Sequence, residues 1–148
     1  MSFSVRISRL EDYKVQRQQL GLWNRLVWLD NGCDALFIHS EVDFWDNTYK
    51  SGGWLLEFNS SFYRDYALRY PEDFNNSLMT DKSSSPITLP LSDMLHKEIH
   101  QLAGLLKNAY VLNQPELYLQ PYADLILLNV NRFYTTSVKK TDLLTSSL

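Results

Sequence analysis

The chain has one cysteine, Cys33, among 148 residues. That excludes an internal disulfide framework and any zinc site built from several cysteines. It also lacks an excess of positive charge: 14 Lys and Arg stand against 17 Asp and Glu, for a formal net charge of -3. Phosphate neutralisation needs a clustered basic surface. Here Arg6, Arg9, Lys14, Arg17 and Arg25 are scattered among Glu11 and Asp12, and Arg132, Lys139 and Lys140 lie far away near the other end. Direct nucleic-acid binding by this chain is therefore not expected. No apolar run approaches the roughly 18 residues of a membrane span, and residues 1–6 (MSFSVR) lack the apolar core of a signal peptide. The expected setting is soluble and cytoplasmic, with no membrane partner. A phosphate-binding glycine loop and a G-x-S-x-G nucleophile elbow are missing too, so no enzyme signature stands out and no cofactor is implied.

What is present is enough apolar material for one core. Apolar residues make up 45% and aromatic residues 14% of the chain, and the length fits one domain spanning 1–148. Residues 3–58 read as β-rich. Phe3, Val5 and Ile7 alternate with Ser4, Arg6 and Ser8, the period of a half-buried strand. Residues 10–20 fit either strand or loop. The run Leu22 to Leu29 (LWNRLVWL) is apolar on both faces and followed by Asp30-Asn31-Gly32, so it predicts a strand entering a tight turn, with Asp34 to His39 returning as its partner. Val42 to Trp45 fits a further short extended piece. Gly52-Gly53 supplies turn chemistry before a strand over Trp54 to Phe58, and Asn59-Ser60-Ser61 can start a helix over 60–70 that Pro71 stops.

Residues 71–90 form a polar connection, in which Ile87-Thr88-Leu89 could add a small edge strand before Pro90. From Leu91 the pattern changes, and a helical hairpin is predicted over 91–136. Met94, Leu95, Ile99, Leu102, Leu105, Leu106 and Ala109 recur at three and four residues, with Ser92 placed as an N-cap. Asn113-Gln114-Pro115 interrupts this helix and Pro115 suits the start of the next. Pro121 is either still near that start or marks a kink. On the second helix Tyr122, Ala123, Ile126, Leu127, Val130, Phe133 and Tyr134 form one broad apolar face, with Leu117, Leu125 and Leu128 beside it. A helix docked on its own domain needs only one apolar face. The three flanking leucines are either buried between sheet and first helix or form the interface of a homodimer. Val138 to Leu148 is mostly polar, and a frayed end is expected there.

Two groupings could carry chemistry. His96 and His100 are four apart on one helix, the spacing of a shared metal site, but H-K-E-I-H is not the H-E-x-x-H metalloprotease order. A solvated helix face is the expectation, with no metal site. Trp28, His39, Trp45 and Glu57 come from segments that should be neighbours in a small sheet, and aromatic walls with a few polar groups line small-molecule pockets. These four are the candidate ligand-binding residues; the alternative is that the tryptophans are core filler.

The phrase Leu36-Phe37-Ile38, Val42, Trp45, Gly53-Trp54-Leu55-Leu56, Phe58 and Phe62 resembles the N-terminal effector and dimerisation domain of AraC-type transcriptional regulators. The likeness covers residues 34–63 and extends in element order over 91–134. Ser40-Glu41 stands where the family has a Pro-Gly turn, and Asp43 where it has a histidine. The resemblance implies an α+β fold: a short cupin-like antiparallel sheet or partial barrel, then a C-terminal two-helix hairpin. It further implies a non-enzymatic ligand-sensing and dimerisation domain, a homodimer through the C-terminal helices and a possible small-molecule effector. The helix-turn-helix module that reads DNA in such regulators has no counterpart in these 148 residues. The rival readings are a small stand-alone cupin-type metal-dependent enzyme and a protein interaction domain without a ligand.

Overall fold

The computed structural model describes residues 4–12, 23–32, 34–40, 52–74, 78 and 86–146, with side chains as far as residue 136 except that of Phe74. Five strands form one antiparallel sheet: β1 (Val5–Arg9), β2 (Trp23–Leu29), β3 (Asp34–Ile38), β4 (Gly53–Asn59) and β5 (Ile87–Pro90), in the order β1-β4-β2-β3-β5. The sheet is not closed, and β1 and β5 are its two edges. Helix α1 (Ser60–Arg69) follows β4 directly, a single turn α2 (Pro71–Phe74) comes next, and α3 (Asp93–Val111) and α4 (Glu116–Ser146) form the C-terminal hairpin. The fold is α+β, as the sequence predicts.

The local chemistry explains the boundaries. Gly32, at φ 97°, completes the turn between β2 and β3, a conformation a side chain would oppose. Asn59 caps α1 by accepting from the Phe62 amide at 3.1 Å, and Ser92 caps α3 by accepting from the Leu95 amide at 3.2 Å. The end of α3 is a Schellman turn: Asn113 takes φ 55°, its amide donates to the Tyr110 carbonyl, and the Gln114 amide donates to the Ala109 carbonyl, each at 3.1 Å. Pro115 then prevents continuation. Pro121 lies within α4, which nevertheless runs on to Ser146. Pro90 ends β5, and the edge position spares it a missing ladder bond.

Register divides the sheet's side chains cleanly. Trp28 lies opposite both Ala35 and Trp54, Leu26 opposite Phe37 and Leu56, and Ile7 opposite Leu56. These residues make the main core with Phe62 and Tyr66 of α1, Ile99, Ala103 and Leu106 of α3, and Leu119, Ala123, Ile126, Leu127 and Val130 of α4. The alternate residues Val27, Ile38 and Leu55 join Leu10 in a second, smaller cluster on the other face.

Two buried polar residues set how α4 sits. Asp124, only 2% exposed, accepts from Arg69 Nε at 3.1 Å, Arg69 Nη2 at 2.8 Å and the Tyr70 hydroxyl at 3.2 Å. Seven residues on, the Asn131 side chain accepts from the Leu78 amide at 3.3 Å and donates to the Tyr66 hydroxyl at 3.1 Å. Burial raises the Tyr66 hydroxyl pKa well above its ordinary value and raises that of Tyr70 as well, so both stay neutral donors or acceptors. Helix α1, Tyr70 and Leu78 are thereby tied to one flank of α4. At its N-terminal end, Glu116 accepts from the Ser4 amide at 2.6 Å and from the Ser4 hydroxyl, tying α4 to the start of β1.

Candidate functional site

The four residues expected to line a pocket do not converge. Trp28 is fully buried on the helix-covered face, its indole N–H without an acceptor among the described residues, whereas Glu57 belongs to the opposite face, three residues along β4 from Trp54 and in register with Arg25. Side chains alternate along a strand, so an odd offset places them on opposite sides and the sheet itself separates them. His39 follows β3 on the Trp28 side, edge-on to Phe37 at 4.9 Å, and its Nε2 is buried without a partner among the described residues. Trp45 lies outside the described residues.

Glu57 instead belongs to an ionic row across three strands. Register places Arg6 of β1 and Arg25 of β2 on either side of it. Arg6 Nη2 lies 3.3 Å from Glu57 Oε2, and the Arg6 guanidinium covers the Trp23 ring at 3.7 Å. Arg25 is 2% and Glu57 4% exposed, so these are charges taken out of water within a sheet. The signal was visible as single charges inside the apolar runs LWNRLVWL and GWLLEF.

A second polar cluster joins the end of the sheet to α3. Arg9 holds both oxygens of Asp30, one of them at 3.0 Å, and donates from Nε to Glu11 at 2.8 Å. Glu11 also accepts from the Gly53 amide at 3.2 Å. The hydrogen bond from Arg9 holds both carboxyls below the usual carboxylate range. From α3, His96 donates from Nε2 to the Leu29 carbonyl at 2.8 Å, and His100 Nε2 lies 3.3 Å from Asp30 Oδ1. Burial pushes the His100 pKa down. Trp54 is the floor of this cluster, with His100 edge-on at 6.0 Å and the Arg9 guanidinium 4.7 Å above its ring.

The two histidines stack at 5.4 Å rather than flanking a metal position, and Arg9 already occupies the carboxylate a cation would need. No group of three His, Cys, Asp or Glu side chains among the described residues could hold a metal ion. Spacing on the helix indicated that His96 and His100 share a face. It carried no hint that this face docks on residues 29 and 30, nearly seventy positions earlier in the chain.

Beyond Trp54 the surface opens into a depression of about 600 Å³ lined by Gln101, Gly104, Leu105, Lys107 and Asn108 of α3. Around the hairpin turn, apolar side chains stand in solvent. Leu117 is 74% exposed and Leu125 46%, with Leu105, Val111, Leu112 and Tyr118 exposed as well. Leu128, grouped with Leu117 and Leu125 in the sequence, packs half-buried against the main core. No helix among the described residues is long and apolar enough to cross a membrane. No family model, curated protein or solved structure matches the chain.

Proposed function

We propose that this chain is a non-enzymatic sensory and dimerisation domain of the AraC-like kind, self-associating through its C-terminal hairpin. The observation that carries the reading is the apolar surface at the hairpin turn: Val111 and Leu112 at the end of α3, Leu117 and Tyr118 at the start of α4, and Leu125 two turns on. Scattered exposed leucines are ordinary, but neighbours concentrated around one turn are the mark of a surface meant to be covered. A second copy is the simplest cover. An isologous pair of hairpins would bury these side chains in one step, toward the roughly 800 Å² per partner of a standard interface. The strap through Asp124 and Asn131 supports the reading, because it fixes the rotation of α4 and hence the leucines presented outward.

Light scattering of the wild type against Leu117→Glu with Leu125→Glu tests this. A dimeric wild type and a monomeric, folded double variant are expected. A wild type that is monomeric at high micromolar concentration, or a double variant that stays dimeric, defeats the proposal. The effector half of the reading is tested by thermal shift with a panel of sugars and small aromatic acids, since a ligand of the folded state raises Tm by mass action.

A further inference from the structure

The cluster at the sheet end contains a group that the proposed function does not use. His100 Nε2 lies 3.3 Å from Asp30 Oδ1, an ion-pair contact when the ring is protonated. The other ring nitrogen, Nδ1, is buried without a hydrogen-bond partner among the described residues. A bare lone pair in that position is tolerable. A charged N–H there is not: the imidazolium carries a proton on both nitrogens, and the one on Nδ1 would have no acceptor among the described residues.

We propose that His100 is an acid-released latch: its protonation undocks the first half of α3 from the turn that follows β2. The surroundings, taken element by element among the described residues, favour release. From β1, Arg9 places a guanidinium on both oxygens of Asp30 and over the Trp54 ring, so the carboxylate facing His100 is already neutralised. Glu11, after β1, is held by the same guanidinium. From α3 itself, His96 stacks on His100 at 5.4 Å with its Nε2 committed to the Leu29 carbonyl, so it offers no acceptor. From β4, Trp54 presents only its ring. Asp30 is the one group that attracts the imidazolium, and burial outweighs it, which is why the His100 pKa falls below the ordinary value.

The sign follows from linkage. A histidine with a depressed folded pKa is matched between folded and open states at neutral pH, and loses ground as pH falls through the open-state value of about 6.5 toward the folded value. Opening of α3 should therefore increase up to about tenfold between pH 7.5 and 5.5. This window lies above that of Asp30 and Glu11, whose carboxyls Arg9 holds lower still.

The test is hydrogen exchange of the full chain at pH 7.5 and 5.5, corrected for intrinsic rates and read at residues 93–100. Wild type should show the increase. His100→Gln, which retains an N–H for Asp30 and cannot charge, should remove it, whereas His96→Gln should keep it. An undiminished increase in His100→Gln overturns the latch. Should that variant not fold, an NMR titration of wild-type His100 decides alone: a midpoint below 6.5 supports the proposal and one at or above 6.5 refutes it. The exchange readout is local to α3, so failure here is distinguishable from failure of the dimer, which light scattering reports.

Discussion

The two faces of the sheet are built from the same five strands and by different chemistry. One is mainly apolar, with Trp28, Phe37, Leu56 and Phe58 covered by three helices. The other combines a small aliphatic cluster of Leu10, Val27, Ile38 and Leu55 with the row Arg6, Glu57 and Arg25. Burial is nearly complete on both, so burial alone does not distinguish them. What differs is how the stabilisation arises: by removing hydrocarbon from water on one side, and on the other also by the Arg6–Glu57 ion pair, whose desolvation cost must be offset. A core of the first kind tolerates approximate shapes, while one of the second kind requires every partner present.

The largest expected effect sharpens that contrast within one strand. Phe58→Ala empties the helix-covered core and should cost about 3–5 kcal/mol, whereas Leu55→Ala, in the smaller cluster, should cost about 2–3 kcal/mol. Urea unfolding of both measures the difference. Equal losses would mean that the smaller cluster is as tightly packed as the larger, and the distinction between the faces would collapse.

Next comes the ionic row. Glu57→Gln preserves shape and removes the only negative charge in the register between Arg6 and Arg25. Breaking one member of a buried set is expensive, but Arg6 is 27% exposed and solvent screens part of the loss, so about 2–3 kcal/mol is expected. Glu57→Leu combined with Arg6→Leu should recover part of it. If Glu57→Gln is neutral in urea unfolding, the row is a bystander and the second face is held by its aliphatic cluster alone.

How far these faces could be foreseen follows from the length scale of each signal. The β2–β3 hairpin was legible because Asp30-Asn31-Gly32 is a local turn signal, and the start of α3 because Ser92 precedes an apolar stripe of period 3.6. The edge strand β5 followed from Ile87-Thr88-Leu89 before Pro90. In the same way Pro71 marked the end of α1. The pocket set was not legible, because neighbouring strands bring Trp28 and Glu57 close in the strand order of the sheet, and only register reveals that the sheet divides them. Likewise the polar side of α4 was not legible: Asp124 and Asn131, one heptad apart, sit beside the broad apolar face, and their partners Arg69 and Tyr66 come from a helix some sixty residues earlier. The cluster of Arg9, Asp30 and His100 joins three distant segments, and no periodicity within a segment reports such a meeting.

The smallest expected effect concerns two glycines at the edges of these regions. At Gly53 an added Cβ would meet the Trp28 carbonyl oxygen and lie 2.9 Å from Leu29 Cα, both backbone atoms that cannot yield, so the close approach of β4 to β2 requires glycine. Gly104 is the opposite case. It sits in the interior of α3, an added Cβ there would have nothing within 4 Å, and it borders the depression beside Trp54. Packing gives this glycine no reason to exist, while helix propensity penalises it. Gly104→Ala should therefore stabilise the domain by about 0.5–1 kcal/mol, seen as a raised midpoint in urea with unchanged slope. If the variant is instead destabilised, the open floor beside Trp54 is occupied in solution by something that an added methyl displaces, and α3 has a second docking face besides the hairpin turn.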